Sequence, residues 1–130
     1  STRPGGPGAV DIWTSALEGE TWSAPVCLPP PINSAVDDLQ PAFTSDGATI
    51  YFVSNRNALI GSAIYRSTPQ DDAWTAPELV LAGIVGEPSI TADGRYLYFV
   101  HVLTDALGTF DADVWYCERT PPRPDHSRWR

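Results

Sequence analysis

One stretch of this chain occurs twice: QPAFTSDGATIYFVSNR, Gln40 to Arg56, returns as EPSITADGRYLYFVHVL, Glu87 to Leu103. Pro41 aligns with Pro88, Asp46-Gly47 with Asp93-Gly94, and Ile50-Tyr51-Phe52-Val53 with Leu97-Tyr98-Phe99-Val100, all at an offset of 47 residues. One offset that spans a turn and its flanking apolar runs restricts the fold to architectures built by repetition, which are propellers, solenoids or arrays.

Within each copy the local signals are those of a hairpin. Asp-Gly between apolar runs marks a tight turn, because both central residues can take positive φ. The first copy therefore reads as a short strand from Ala42 to Thr44, a turn on Asp46-Gly47, and a strong strand from Thr49 to Ser54. Ile50 to Val53 and Leu97 to Val100 are apolar without alternation, so both faces of that strand should be buried. In an antiparallel unit this requires sheets stacked face against face, as propeller blades are.

A second similarity covers the remainder. Asp11 to Ala16 reads as a strand, Leu17 to Glu20 as a turn centred on Gly19, and Thr21 to Leu28 as a returning strand. Its twin runs from Ile64 to Leu81, with Trp22 matching Trp74 and Pro25 matching Pro77. A strand carrying proline cannot donate to neighbours on both sides, so these strands belong at sheet edges. Pro4 to Gly8 and the Pro-rich segment Pro29 to Gln40 read as loops. The latter's counterpart, Ala82 to Glu87, is much shorter, as a surface connection tolerates. The expected fold is all-β, with antiparallel four-stranded blades of a β-propeller in an incomplete ring. Residues 1–28 would end a first blade, 40–81 would form a complete second, and 87–130 most of a third. In the third, Asp113 to Tyr116 is the third strand and Trp129 the counterpart of Trp74. Methionine is absent, even at position 1, and the chain is read as a piece of a longer one.

The order Pro, Ser-Asp-Gly, apolar triplet, Ser54-Asn55-Arg56, then AIYRS and a Trp-x-x-Pro strand resembles the WD40-like β-propeller repeats of the TolB type. The resemblance spans nearly the whole chain. It implies a ring, commonly of six or seven blades, that serves as a binding scaffold in the bacterial periplasm or outside the cell. The second copy departs from it by carrying His101-Val102-Leu103 in place of Ser54-Asn55-Arg56, so a polar network at that corner would be lost there.

Composition removes several function classes. A net charge of −8, a pI near 4.4 and the absence of lysine argue against a nucleic-acid surface, which needs clustered cations. No apolar run approaches the roughly 18 to 20 residues of a membrane helix, so membrane insertion is not expected. Cys27 and Cys117 align with Leu79 and Ser67, unrelated positions, and read as free thiols rather than a disulfide. No nucleophile motif or phosphate-binding loop is present, and the available bases are His101, at a strand end, and His126, in the Pro/Arg-rich tail.

Asp46 and Asp93 are accounted for by their turns, and Trp13, Trp22 and Trp74 by packing between blades. In a propeller, the loops before the inner strand and after the second strand emerge on one face. Asn33, Asp37, Asp38, Arg56, Asn57, Asp105 and Asp111 would then share one rim, either a ligand, cation or peptide surface or simply a solvated acidic edge. Asp111-Ala112-Asp113 is a weak calcium signal; no other cofactor is expected. The reading is a noncatalytic module that binds a protein or a cell-wall component. The alternative is the propeller portion of an enzyme, gating a hydrolase or processing a glycan. Exposed blade faces of roughly 400 Å² each should draw further blades of the same chain or self-association.

Overall fold

The computed structural model describes residues 1–120; His126 and Trp129 lie outside them. Every regular element is a β-strand, and every paired strand is antiparallel. They are, in order, β1 (Trp13–Thr14), β2 (Leu17–Glu18), β3 (Thr21–Trp22), β4 (Val26–Cys27), β5 (Asp38–Phe43), β6 (Ile50–Ser54), β7 (Ala63–Ser67), β8 (Pro69–Gln70), β9 (Ala73–Trp74), β10 (Glu78–Ala82), β11 (Val85–Ile90), β12 (Tyr96–Thr104) and β13 (Phe110–Glu118). Three sheets form layers: β1-β4, then β10-β7-β6-β5, then β11-β12-β13. The small hairpins β2-β3 and β8-β9 hang from the first two layers. Among the described residues none of these sheets closes on itself.

The unalternating apolar run of β6 has the consequence expected of it, since every residue from Ile50 to Ser54 is buried. The matching run of β12 is instead buried on one face alone: Tyr98 is exposed and Val100 half-buried where no layer among the described residues covers them. Ile50 and Phe52 join Ile12, Ile32, Ala63 and Tyr65 in a core between the first and second layers. Tyr51 and Val53 face the other way and join Ile64, Val85, Leu97 and Phe99 in a core between the second and third. The middle sheet is thus covered on both sides.

The hairpins at Asp46 and Asp93 are built alike. Thr44 Oγ1 donates to Asp46 Oδ1 (2.6 Å), which also accepts from Ala48 N (3.0 Å), while Gly47 N closes the turn on Thr44 O (2.9 Å). Thr91, Asp93, Arg95 and Gly94 repeat these bonds at 2.5, 3.0 and 2.8 Å. Only the glycines take positive φ, 69° and 67°, so the loop is longer than a two-residue turn with both central residues left-handed. In each case the threonine hydroxyl and the carboxylate fasten the extra residues.

The inner strands begin earlier than Ala42 because each passes through a bulge at its proline. Leu39 pairs with Val53 and Ala42 with Tyr51, so Gln40 and Pro41 together stand opposite Phe52. Gly86 and Ser89 stand likewise to Val100 and Tyr98. Gln40 and Glu87, immediately before Pro41 and Pro88, hold φ of 51° and 52°. Proline supplies no ladder donor, and the bulge absorbs the missing bond. The proline-bearing segment after Trp74 leads into β10, which is the edge of its sheet.

The N-terminal loop is fixed by close approach. A Cβ on Gly8 would stand 2.2 Å from Val36 O, and one on Gly6 2.0 Å from Asp11 Oδ2. The strand expected from Asp11 to Ala16 shortens to β1. Beyond it, Ser15 and Ala16 bond Ser23 across the neck of the small hairpin. Ser67, Thr68 and Thr75 form the same neck 52 residues later.

Candidate functional site

The long loop 29–37 lies across the first core, and the carboxylate at its end decides the local chemistry. Asp38 is fully buried and accepts from Ser34 N (2.6 Å), Ser34 Oγ (2.7 Å) and Arg56 Nη2 (2.7 Å). Arg56 also donates from Nη2 to Ile32 O (2.7 Å), from Nη1 to Pro31 O (3.1 Å) and from Nε to Ser54 Oγ (3.0 Å). Its guanidinium lies over Phe52 and Tyr65, 4.9 and 5.1 Å from the ring centroids. A planar fork suits this place, since it satisfies a buried carboxylate and two loop carbonyls while stacking on rings.

Asn33 is equally committed. Its Oδ1 accepts from Ile12 N (2.8 Å), and its Nδ2 donates to Ile12 O (2.9 Å) and Leu28 O (2.8 Å). The side chain thereby satisfies the buried Ile12 N–H and gives Ile12 O a second donor beside Leu28 N (3.0 Å). Asp37 Oδ1 accepts from Val10 N (3.1 Å). Asn57 caps its own loop, with Oδ1 accepting from Leu59 N (3.0 Å).

The other two rim residues sit elsewhere, on the third sheet. Asp105 holds the β12-β13 turn by accepting from Leu107 N and Thr109 N, both at 2.8 Å. These amides depress its pKa below the ordinary carboxylate range. Asp111 is exposed on β13, opposite Leu103. The structure therefore joins Asp38 and Arg56 in one network, anchors Asn33 separately to Ile12 and Leu28, sets Asp37 next to Asp38, and keeps Asp105 and Asp111 apart on a separate hairpin. Among the described residues no three His, Cys, Asp or Glu side chains stand where they could share a metal ion.

Next to Asp37 a cleft of about 430 Å³ opens between the second and third layers. Its polar lining comes from Asp37, Gln40, Asn55, Ser62 and Glu87, and its floor includes Val53, Val85 and Val100. Gln40 crosses the mouth: its Oε1 accepts from Glu87 N (2.9 Å). Ser62 Oγ crosses lower down to Val85 O (3.1 Å). The sequence reading missed Gln40, Asn55, Ser62 and Glu87. For Gln40 and Glu87 the available signal was that each precedes a proline at the same place in its copy.

His101 lies at the end of β12's buried portion, edge-on to Trp115 with centroids 6.0 Å apart. With Leu81, Val85, Phe99 and Leu103 it lines an apolar groove of about 290 Å³. Trp74 packs on Phe43 and the first core, and Trp13 is half-buried beneath Arg3. Trp22 differs: it is 69% exposed, because no layer among the described residues lies on its outer side. Cys27 and Cys117 are free thiols. Compared with known proteins, the chain matches no family model, no curated protein and no solved structure.

Proposed function

We propose that the chain is a run of stacked blades from a β-propeller resembling the TolB-type WD40-like repeats, working as a noncatalytic scaffold that binds a protein or cell-wall component in the periplasm or outside the cell. One observation carries this reading. Equivalent positions of the two copies touch: Gln40 bonds Glu87 N, and Ser45 Oγ donates to Ala92 O at 2.8 Å, both pairs 47 residues apart. Each sheet then stands to the next as one copy stands to its successor, and repeating that relation builds a ring or a stack. Extending the chain with further copies of residues 40–86 tests the ring: solution scattering from a closed disc is expected, and an open rod overturns it.

The cleft at Asp37, Asn55 and Glu87 is the binding surface in this reading, because it is open, mixed in polarity and lies at a junction between layers. Titration calorimetry with soluble cell-wall fragments and with envelope proteins tests it. Saturable binding is expected, weakened by Asp37→Ala and Glu87→Ala at unchanged circular dichroism. Binding indifferent to both substitutions removes the cleft from the proposal. Turnover of a peptide or glycosidic bond in the same samples would favour the enzymatic alternative, all the more if it is lost in Asp37→Asn.

A further inference from the structure

Among the described residues the third sheet ends on β13, and this edge lacks the proline and bulge of the other long edge. β13 pairs with β12 without interruption, from Tyr96 opposite Glu118 to Thr104 opposite Phe110, and all nine of its residues are exposed. Among the described residues its outer side makes no backbone hydrogen bond. A long, regular, exposed edge templates another strand unless proline, a bulge or charged side chains oppose it. β10, the corresponding edge of the middle sheet, follows Pro77 and carries a bulge between Leu79 and Leu81. β13 has neither proline nor bulge, and its charges are Asp111, Asp113 and Glu118. Its counterpart in the middle sheet, β7, takes an antiparallel strand on that side.

The charges of β13 restrict the registers in which it can pair with itself. Antiparallel self-pairing about a two-fold axis at Asp111, Ala112 or Asp113 sets carboxylate against carboxylate, which is destabilising. Centring the axis on Val114 sets Val114 opposite Val114, Asp113 opposite Trp115, Ala112 opposite Tyr116, Asp111 opposite Cys117 and Phe110 opposite Glu118. No acid then faces an acid, and the strand is paired along its whole length. Val114, Tyr116 and Phe110, which are 74%, 64% and 74% exposed, join Tyr98 and Val100 in an apolar surface that continues across the axis and is flanked at each end by Glu118.

We propose that two copies of this chain associate edge to edge through β13, antiparallel about a two-fold axis at Val114, to give one continuous six-stranded sheet. The contact takes the place beside β13 that an outer strand of the same blade would take in the propeller reading, as β10 does beside β7, so the two compete for this edge and failure of the dimer leaves that reading standing. Self-pairing is isologous, as most two-fold interfaces are. Because each copy carries a net charge of −8, raising ionic strength should strengthen the dimer.

Sedimentation equilibrium of the intact chain is expected to show a monomer–dimer equilibrium. Val114→Lys and Val114→Asp change an exposed side chain, and each alone should raise the dissociation constant by about tenfold. Mixed in equal amounts, they should form a heterodimer. Register is read by cross-linking: Val114→Cys, with Cys27 and Cys117 replaced by serine, should give a disulfide dimer under mild oxidation. Leu107→Cys at the exposed turn, in the same background, should not. A chain that stays monomeric at millimolar concentration, a dimer indifferent to both charge variants, or equal cross-linking from positions 107 and 114 would overturn the proposal.

Discussion

Arg56 shows how little a side chain's character says about its task until its neighbours are known. Arginine and aspartate in polar loops suggested a solvated rim, yet Arg56 and Asp38 meet under the loop 29–37. Arg56→Ala would strip four hydrogen bonds and leave Asp38 buried without its cation. Such a break costs about 3–5 kcal/mol, and Arg56→Lys should recover only part of it, since an ammonium cannot reach all four acceptors. Urea unfolding of the two variants measures both effects. Asp46 and Asp93 behave differently because they are exposed. Bonds from Thr44 Oγ1 and then Ala48 N, and from Thr91 Oγ1 and then Arg95 N, hold their pKa values below the ordinary range. A carboxylate whose pKa is depressed on folding stabilises fully above its unfolded value, about 3.9, and ceases to do so as pH falls through the folded value. Both turns should therefore loosen below about pH 4. The amide resonances of Ala48 and Arg95 should titrate with carboxyl pKa values below that of an unfolded control, and equal values would refute this.

At the scale of elements, the two hairpins share a turn but differ in reach. β6 stops at Ser54, where Asn55 leaves the ladder and Arg56 folds back to the loop. In β12 the corresponding residues are His101, Val102 and Leu103, and the strand runs on to Thr104. Valine and leucine have no loop carbonyls to bind and fit a pleated strand, so the ladder with β13 extends to nine pairs. Loss of the polar corner was legible in the sequence; the projecting hairpin that replaces it was not, because its partner strand β13 outgrew the expected Asp113 to Tyr116. The bulges tell a similar story. Prolines 41 and 88 were visible as matched positions, whereas the hydrogen bond from Glu87 N to Gln40 Oε1 depends on how two sheets sit together. Gln40→Ala should cost about 0.5–1.5 kcal/mol. In hydrogen exchange the loss should appear as faster exchange at the Glu87 amide, with the turn at Gly47 unaffected.

For the molecule as a whole, β6 is the shared wall of both cores. Phe52 is fully buried in the first core and its neighbours Tyr51 and Val53 in the second, so damage to this strand is felt on both sides. Phe52→Ala should destabilise the chain by about 3–5 kcal/mol, and it also removes the ring beneath the Arg56 guanidinium. Thermal unfolding followed at Trp74 and at Trp115 should shift together. Native-state exchange should be slowest in β6 and β7, which are paired on both edges and covered on both faces. A transition at Trp115 that ignores Phe52→Ala would mean that the two cores unfold separately.

The chain's own residues determined the all-β antiparallel class, the two Asp-Gly turns and the burial of Ile50 to Val53. These follow from local physics: a glycine where φ must be positive, and an apolar run with no polar face to turn toward water. Tertiary structure alone decided the roles of Asn33, Asp38, Arg56 and Gln40. A polar side chain bonds whatever backbone groups packing leaves unpaired, and here those partners come from segments 18 to 47 residues away where Arg56 meets Asp38 and Gln40 meets Glu87. Until the loop 29–37 closed over the first core and the third sheet settled on the second, nothing in the order of residues said which carboxylates would face inward.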